Sequence, residues 1–431
     1  MIACNKLNFK QAIKIRKVIA SMRNSGNSKT IKRMNQMAIL NIVKDNELIS
    51  RQQIAELTGL TPAAITGIVR ELITIGFVRE VGLGESQGGR RPVNLKFNGK
   101  AGYVLGVEVT SNEITIAITD FENMPKEMHT MAIDMKEPST AIIALKEYIE
   151  KIIHSKKHQD KKFFSIAIAF PAIMQNETGM VKRAVNLGEK WNGFPLKVTL
   201  ERELGLPVFI DTNSKVAALG EKLFGDGMNC QNLIYINMGE GISAGIIMDD
   251  HIVQGAEGYA GQIGHTVMVD QGPLCNCGNR GCLEAICAIP ALLRKVEAEI
   301  PVISENDTLK KRFILNKKIK ISDILEIAHM EDSYARDLLR KTASYVAMAT
   351  ANMINTCNPD KVVIGGKLAV KSPFFIEEFK NNIRVHAFPE IGGATPVTIS
   401  KLGANSGVIG ACALALTNLL KSPNSRMITD K

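Results

Sequence analysis

Between Ser50 and Gly76 the chain spells out two short helices and the turn that joins them, and no other stretch restricts the fold as tightly. Ser50 and Gln53 have the spacing of a capping box, in which each side chain satisfies a backbone N–H at a helix start. Ile54, Ala55 and Leu57 point inward, and Gly59 breaks the helix. Thr61 is a good N-cap and Pro62 suits the first helical position. Ile65, Ile68, Val69 and Leu72 recur at i, i+3, i+4 and i+7, so the next helix buries one face before Gly76 ends it. An earlier helical pattern runs from Asn35 through Met37, Ile39, Leu40, Ile42 and Val43 to Asp45-Asn46.

Two short helices joined by a tight Thr-Gly-Leu-Thr turn make a helix-turn-helix, whose second helix lays its N-terminal residues in the DNA major groove. The candidate contacts here are Ser50, Arg51, Thr61, Ala63, Thr66 and Arg70. Thr hydroxyls can meet base edges or phosphates, Ala can meet a thymine methyl, and Arg70 suits a phosphate. Gly67 costs about 1 kcal/mol of helix propensity relative to Ala and reads as a site of close backbone approach. Two strand-like pieces follow, over 77–81 and 92–97, with Val93, Leu95 and Phe97 alternating inward. The Gly-rich stretch between them ends in Arg90 and Arg91, placed to reach phosphates or a narrow minor groove. Together these features describe a winged helix-turn-helix over 30–98. The competing reading is a helical-hairpin module that binds protein and carries a basic loop.

Charge agrees with a DNA-binding head. Residues 1–100 hold 17 Lys and Arg against 6 Asp and Glu, a net of +11, while the whole chain is +10, so the rest sums to −1. A basic head on a neutral body points to a polyanion partner for the head, although a basic disordered tail has the same composition. Residues 1–29 read as a basic N-terminal extension in which 9–22 has an amphipathic helical pattern. No apolar run reaches the roughly 18 residues of a membrane span, and no secretion signal is visible, so a cytoplasmic protein is expected.

Of the eight cysteines, Cys275, Cys277, Cys282 and Cys287 fall within thirteen residues. In a reducing compartment such a cluster points to metal. His265, Cys275, Cys277 and Cys282 read H-x9-C-x-C-x4-C, and three thiolates with one imidazole suit a tetrahedral Zn²⁺. Four protein ligands leave no open position, so the metal is structural. The alternative is reactive or merely buried thiols. Cys287 falls outside the pattern and reads as a buried helix residue.

The body, from 101, alternates strand patterns (103–109, 113–119, 163–170, 207–210, 233–237, 245–248, 361–364) with helical ones such as 139–153 and 333–357. That mixture is an α/β protein. Hairpin-then-helix blocks starting near 103 and near 232 suggest a duplication.

Three stretches carry a resemblance: Gly84-Glu-Ser-Gln-Gly-Gly-Arg-Arg-Pro92, Gly255-Ala-Glu-Gly-Tyr-Ala-Gly-Gln-Ile-Gly-His265 and Cys275-Asn-Cys-Gly-Asn-Arg-Gly-Cys-Leu-Glu284. With them the chain resembles the ROK family (repressors, open reading frames and sugar kinases) over about 30–420, and within it the xylose-repressor type of regulator. The resemblance implies an actin-like (ribonuclease H-like) fold of two lobes around a cleft. Lobe 1 is expected over 101–215, completed by a C-terminal helix 404–421, and lobe 2 over 216–403 with the zinc site and a dimer surface. It implies the same four zinc ligands. It also implies that sugar hydroxyls are held at Asn186, Thr212, Asn213, Gln262, His265 and Glu284. Gln262 stands where the family has Glu.

Kinase members need a catalytic Asp as base. Counting back eight residues from Glu221 lands on Asn213, which can hydrogen-bond a hydroxyl but cannot take its proton; Asp211 lies out of register on a strand. The first phosphate loop of kinases resembles Asp-x-Gly-Gly-Thr-Lys, and here it reads Glu108-Val-Thr-Ser-Asn-Glu113. The second reads Gly239-Glu-Gly-Ile-Ser-Ala-Gly245, where Glu240 adds another negative charge. Gly365-Gly366, on the usual adenosine side, is kept, though a tight strand-to-helix turn needs it equally. No catalytic residue is therefore assigned. Trp191 either stacks on sugar or packs in the core. The expectation is a repressor that binds operator DNA as a homodimer or homotetramer and responds to xylose or a related sugar. A bifunctional sugar kinase with a DNA-binding head, or a regulator that answers to a protein partner, are the rivals.

Overall fold

The structure is a computed structural model that describes residues 28–84, 91–122, 124–175, 177–330 and 333–421. The helical pattern over 9–22 and the candidate contact Arg90 lie outside the described residues. In the head, α1 (Ser28–Lys44), β1 (Ile49–Ser50), α2 (Arg51–Thr58), α3 (Pro62–Thr74), β2 (Val78–Leu83) and β3 (Val93–Phe97) follow in order. The capping box forms: Ser50 Oγ accepts from Gln53 N, and Gln53 Oε1 accepts from Ser50 N. Gly59 closes α2 with φ 69°, in the left-handed region that favours glycine. Thr61 caps α3, and Ile65, Ile68, Val69 and Leu72 are its buried face, as the spacing predicts. α1 begins at Ser28, earlier than the apolar pattern indicates. Its first turns are polar and are held from outside, Lys32 and Gln36 both donating to the Glu71 carboxylate on α3. The sheet order is β1-β3-β2, with Leu83 opposite Val93 at the base of the wing.

The body repeats one pattern twice. The first sheet holds β4 (Tyr103–Val109), β5 (Glu113–Asp120), β6 (Glu127–Ala132), then after α4 (Pro138–Ile153) β7 (Phe163–Phe170), and after the β8 (Ile173–Gln175) and β9 (Met180–Arg183) hairpin and α5 (Leu196–Leu204), β10 (Val208–Thr212). The second holds β11 (Leu233–Met238), β12 (Ile242–Met248) and β13 (His251–Ile252). A helical block follows: α7 (Leu283–Cys287), α8 (Ile289–Glu299), α9 (Thr308–Asn316), α10 (Ile321–Met330) and α11 (Tyr334–Cys357). Then come β14 (Lys361–Gly365), α12 (Lys367–Val370), α13 (Pro373–His386), α14 (Pro389–Gly392) and β15 (Val397–Ile399). The orders are β10-β7-β4-β5-β6 and β13-β12-β11-β14-β15. Each is an antiparallel three-strand meander whose first strand pairs in parallel with the fourth, so the duplication is real. β7, Phe-Phe-Ser-Ile-Ala-Ile-Ala-Phe, is buried along nearly its whole length and apolar but for Ser165, because parallel strands are covered on both faces.

Helices α6 (Asn213–Phe224) and α15 (Ser406–Lys421) cross between the sheets, α6 against β11 and β12, α15 against β4 and β7. The lobe division drawn at 215/216 falls inside α6, so one continuous helix carries the chain between lobes. Glycines set the crossing: a Cβ on Gly410 would lie 2.0 Å from Val216 O. Gly403–Lys421 is long and apolar enough to cross a membrane by composition, contrary to the expectation of no such run, but 72% of it is buried between these elements. Its apolarity belongs to a core helix.

Head and lobe 1 share a core. Phe77 and Phe97 of the head meet Phe121 and Phe164 of the body with ring centroids 5.4–6.5 Å apart. Asn41 Nδ2 donates to Leu420 O at the end of α15 over 3.0 Å. The short connection 98–100 is pinned as well, Asn98 Nδ2 donating to Gly76 O at 2.8 Å.

Candidate functional site

The loop 265–282 folds back on itself through isolated bridges pairing Val267 with Cys282 and Leu274 with Arg280. Gly281 has φ 72°, and a Cβ there would sit 1.7 Å from Val269 O, so only glycine closes the turn. The result gathers His265, Cys275, Cys277 and Cys282 with all four ligand atoms within 4.8 Å of one another. His265 Nδ1 lies 3.6 Å from Cys275 Sγ, and Cys277 Sγ lies 3.7 Å from Cys282 Sγ. Zn–S bonds of about 2.3 Å in a tetrahedron put sulfurs about 3.8 Å apart, so the donor set fits Zn²⁺. Burial, then the neighbouring Cys277 thiol, pushes the Cys282 thiol up to about 12, so a divalent cation is what would let three thiolates coexist here. Cys287 is buried in α7, outside the cluster.

The predicted sugar residues converge at the start of β12. Three glycines let α6, β12 and the 261–265 segment stack: a Cβ on Gly245, Gly261 or Gly264 would lie 2.2, 2.0 and 2.0 Å from Ser214 O, Ala244 O and Ile242 O. Glu284 Oε2 accepts from Ile242 N at 2.8 Å. Asn186 faces Asn276 of the zinc loop, whose Nδ2 donates to Asn186 Oδ1 at 3.2 Å. Gln262 and His265 sit at either end of a single helical turn on this loop, Nδ1 of the histidine turned toward the sulfurs. At the start of α6, Asn213 Nδ2 donates to Val109 O at 3.1 Å, while its Oδ1 is buried and has no hydrogen-bond partner among the described residues. Thr212 does not join them. It is 7% exposed and its hydroxyl turns to Asp211 Oδ1.

Asp211 is held in a buried hydrogen-bond network. Its Oδ1 accepts from Thr212 N at 2.7 Å and its Oδ2 from Gln254 Nε2 at 2.8 Å. Lys215, 1% exposed, lies 3.9 Å away and donates to Gln254 Oε1 and Gly258 O, each at 2.7 Å. Burial lowers the Lys215 pKa, and Asp211 opposes that fall. This network ties β10 to the 254–258 loop. A further set of contacts joins the lobes: Arg183 donates to Cys277 O at 2.8 Å, and Lys182 pairs with Glu257 at 2.7 Å. None of Lys182, Arg183, Lys215 and Gln254 is marked by a motif. Only Lys215 leaves a trace, a lysine set among the small apolar residues of α6.

In the first phosphate-loop segment, Glu108 accepts from Val408 N at the start of α15 over 3.1 Å. Glu113 and Glu240 are exposed. Trp191 is a core residue: it is fully buried, its indole N–H donates to Met135 O at 2.6 Å, and it packs on Phe170 and Phe194.

On the DNA-facing side of the head, Ala63, Thr66, Arg70 and Arg91 are exposed, as is Thr61. Two expected contacts are otherwise employed. Ser50 is 4% exposed and its hydroxyl is the α2 cap, and Arg51 is paired with Glu80 at 2.7 Å. The threonine hydroxyls are also turned inward, Thr61 Oγ1 accepting from Ala64 N and Thr66 Oγ1 donating to Pro62 O at 2.8 Å.

Known proteins share this arrangement. A winged helix-turn-helix DNA-binding model matches 35–79 and the ROK family model matches 104–418. The xylose repressor of Caldicellulosiruptor bescii is 32% identical over 400 residues, 92% of this chain and 99% of its own. The DNA-binding transcriptional dual regulator NagC of Escherichia coli is 28% identical over 396 residues, 92% of this chain and 95% of its own. The crystal structure of a ROK family transcriptional regulator, a homologue of the E. coli Mlc protein, superposes with TM-score 0.79 at 28% identity over 91% of this chain and 97% of that one. A ROK glucokinase from Streptomyces griseus, solved with glucose and AMPPNP, has TM-score 0.66 at 24% identity over 73% of this chain and 100% of that one, a likeness of fold. Twice-built sheet, zinc-type loop and winged head thus occur in one chain with a family match across its whole body, and the chain belongs to the ROK family.

Proposed function

We propose that this chain is a DNA-binding transcriptional repressor that answers to a sugar bound in the cleft, without phosphorylating it. The observation that carries the reading is Asn213. Its amide Nδ2 donates to Val109 O, and its buried Oδ1, without a partner among the described residues, is left for a hydroxyl that a closing cleft would bring. A carbonyl oxygen there accepts a hydroxyl's hydrogen bond but is no base for its proton. Glu113 and Glu240 set negative charge where a nucleotide's phosphates would need positive. Asn186, Gln262, His265 and Glu284 complete the sugar-facing set. Zn²⁺ at His265, Cys275, Cys277 and Cys282 would serve structure, fixing the loop that carries His265 and leads into Glu284.

In this reading sugar stabilises the closed cleft, and the Lys182 and Arg183 contacts set how the lobes meet. A ligand shifts such an equilibrium only by its differential affinity for the two states. α15 carries the change, since its first turn is held by Glu108 and its last by Asn41 of the head. A homodimer or homotetramer in the cytoplasm places two α3 helices on a palindromic operator, and closure alters their spacing. The relatives named xylose repressor make xylose or a related pentose the first inducer to try.

The test pairs thermal melts over pentoses, hexoses and amino sugars with an ATP-consumption assay. One class of sugar should raise the melting temperature of the wild type, Asn213→Ala should lose that rise, and no sugar should drive ATP turnover. Turnover would establish the kinase reading, and silence across all sugars would favour a protein effector.

A further inference from the structure

We infer that α3 reads thymine through its 5-methyl groups at close range, with the bare backbone at Gly67 as the point of nearest approach to the groove. This rests on the DNA-binding reading and adds the base it recognises and the means.

Gly67 lies inside a regular helix, with no left-handed φ, and beyond its own helix no atom of the described residues lies within 4 Å of the Cβ it lacks. The fold therefore accepts any side chain there, and helix propensity disfavours the one present. Elsewhere on this chain a helical glycine answers to a neighbour, as Gly220 and Gly410 do. For Gly67 the neighbour must come from outside, on the face where α3 is exposed.

That face is poor in groups that read bases by hydrogen bonds. Thr66 Oγ1 donates to Pro62 O at 2.8 Å and Thr74 Oγ1 to Arg70 O at 2.9 Å, so their hydroxyl hydrogens are spent on the helix and what they still offer outward is a methyl and an accepting lone pair. Ala63, one turn before Gly67, offers another methyl. Glu71, which could accept from a cytosine amino group, is held by Lys32 and Gln36. Arg70 alone is long, charged and exposed. In the major groove only thymine presents a methyl group. Methyl contacts fade within an ångström of optimal separation, so they need the helix axis close to the base edges. A side chain at 67 would hold it off.

The experiment enriches DNA from a random pool on the full wild-type chain, then replaces thymines in the enriched half-site by deoxyuridine, which removes the methyl and keeps every hydrogen-bonding group. Each contacted thymine so replaced should weaken binding about fourfold. Gly67→Ala should bind the thymine site at least tenfold more weakly while its melting temperature stays level or rises, a split that a merely structural glycine would not show. Gly67→Ala should also lose most of its sensitivity to deoxyuridine. Binding within twofold of the parent site after full deoxyuridine replacement, or Gly67→Ala binding as the wild type does, overturns the inference while the DNA-binding reading stands. A chain that enriches no sequence overturns both.

Discussion

Asn213 and Glu108 are opposites in chemistry. The first is a neutral amide where a kinase has a charge. The second is a carboxyl group packed against the start of α15, where burial acts on its charge. Burial raises Glu108 from the usual 4.5 to about 7, against the Val408 N–H, which lowers it, and with Glu113 adding to the rise. An acid with a raised folded-state pKa binds its proton more tightly folded than unfolded, so its contribution is present below about 4.5 and is lost as pH rises toward 7. The loss is at most about 3 kcal/mol, because part of the side chain still meets solvent. Glu108→Gln should therefore gain stability relative to the wild type at pH 8 and not at pH 5, as thermal melts at the two values would read. Asn213 was legible by counting from Glu221, since that spacing is local to one helix. Lys215 was not, because its partners, Gln254 and Gly258, come from a loop that only the tertiary fold brings near.

At the scale of elements, two helical glycines make opposite predictions. Gly67→Ala meets nothing, whereas a Cβ on Gly410 lands 2.0 Å from Val216 O and must push α15 away from α6. Gly410→Ala should cost about 1–3 kcal/mol despite the better helix propensity of alanine, measured by urea unfolding. The same ambiguity limited the reading of strands. The segment 239–245 looks like a degraded phosphate loop, yet β12 already begins at Ile242, and Gly245 is there because Ser214 O lies against it. α2, α3 and the wing strands were legible because caps, breakers and apolar spacing are all local signals. The early turns of α1 were not, for they are held by Glu71 from another helix. Nor was the burial of Ser50 or the Arg51–Glu80 pair visible, since exposure and pairing are properties of the assembled head.

At the scale of the molecule, the loop that gathers His265 and the three cysteines touches lobe 1 as well as carrying part of the proposed sugar set. Arg183 of lobe 1 donates to the backbone of Cys277, a predicted ligand, and Asn276 to Asn186. Stripping metal with a chelator should then abolish the sugar-induced rise in melting temperature before it weakens operator binding, as parallel melts and gel shifts would show. Loss of both together would mean the loop supports the whole fold instead. The shared aromatic core has a practical corollary for anyone building hybrid regulators. Severing this chain at Asn98 and grafting the front piece onto a foreign sensor would strip Phe77 and Phe97 of Phe121 and Phe164, and leave Asn41 without Leu420. Specificity would survive such surgery only if the recipient's own rings and final helix were recut to receive the transplant.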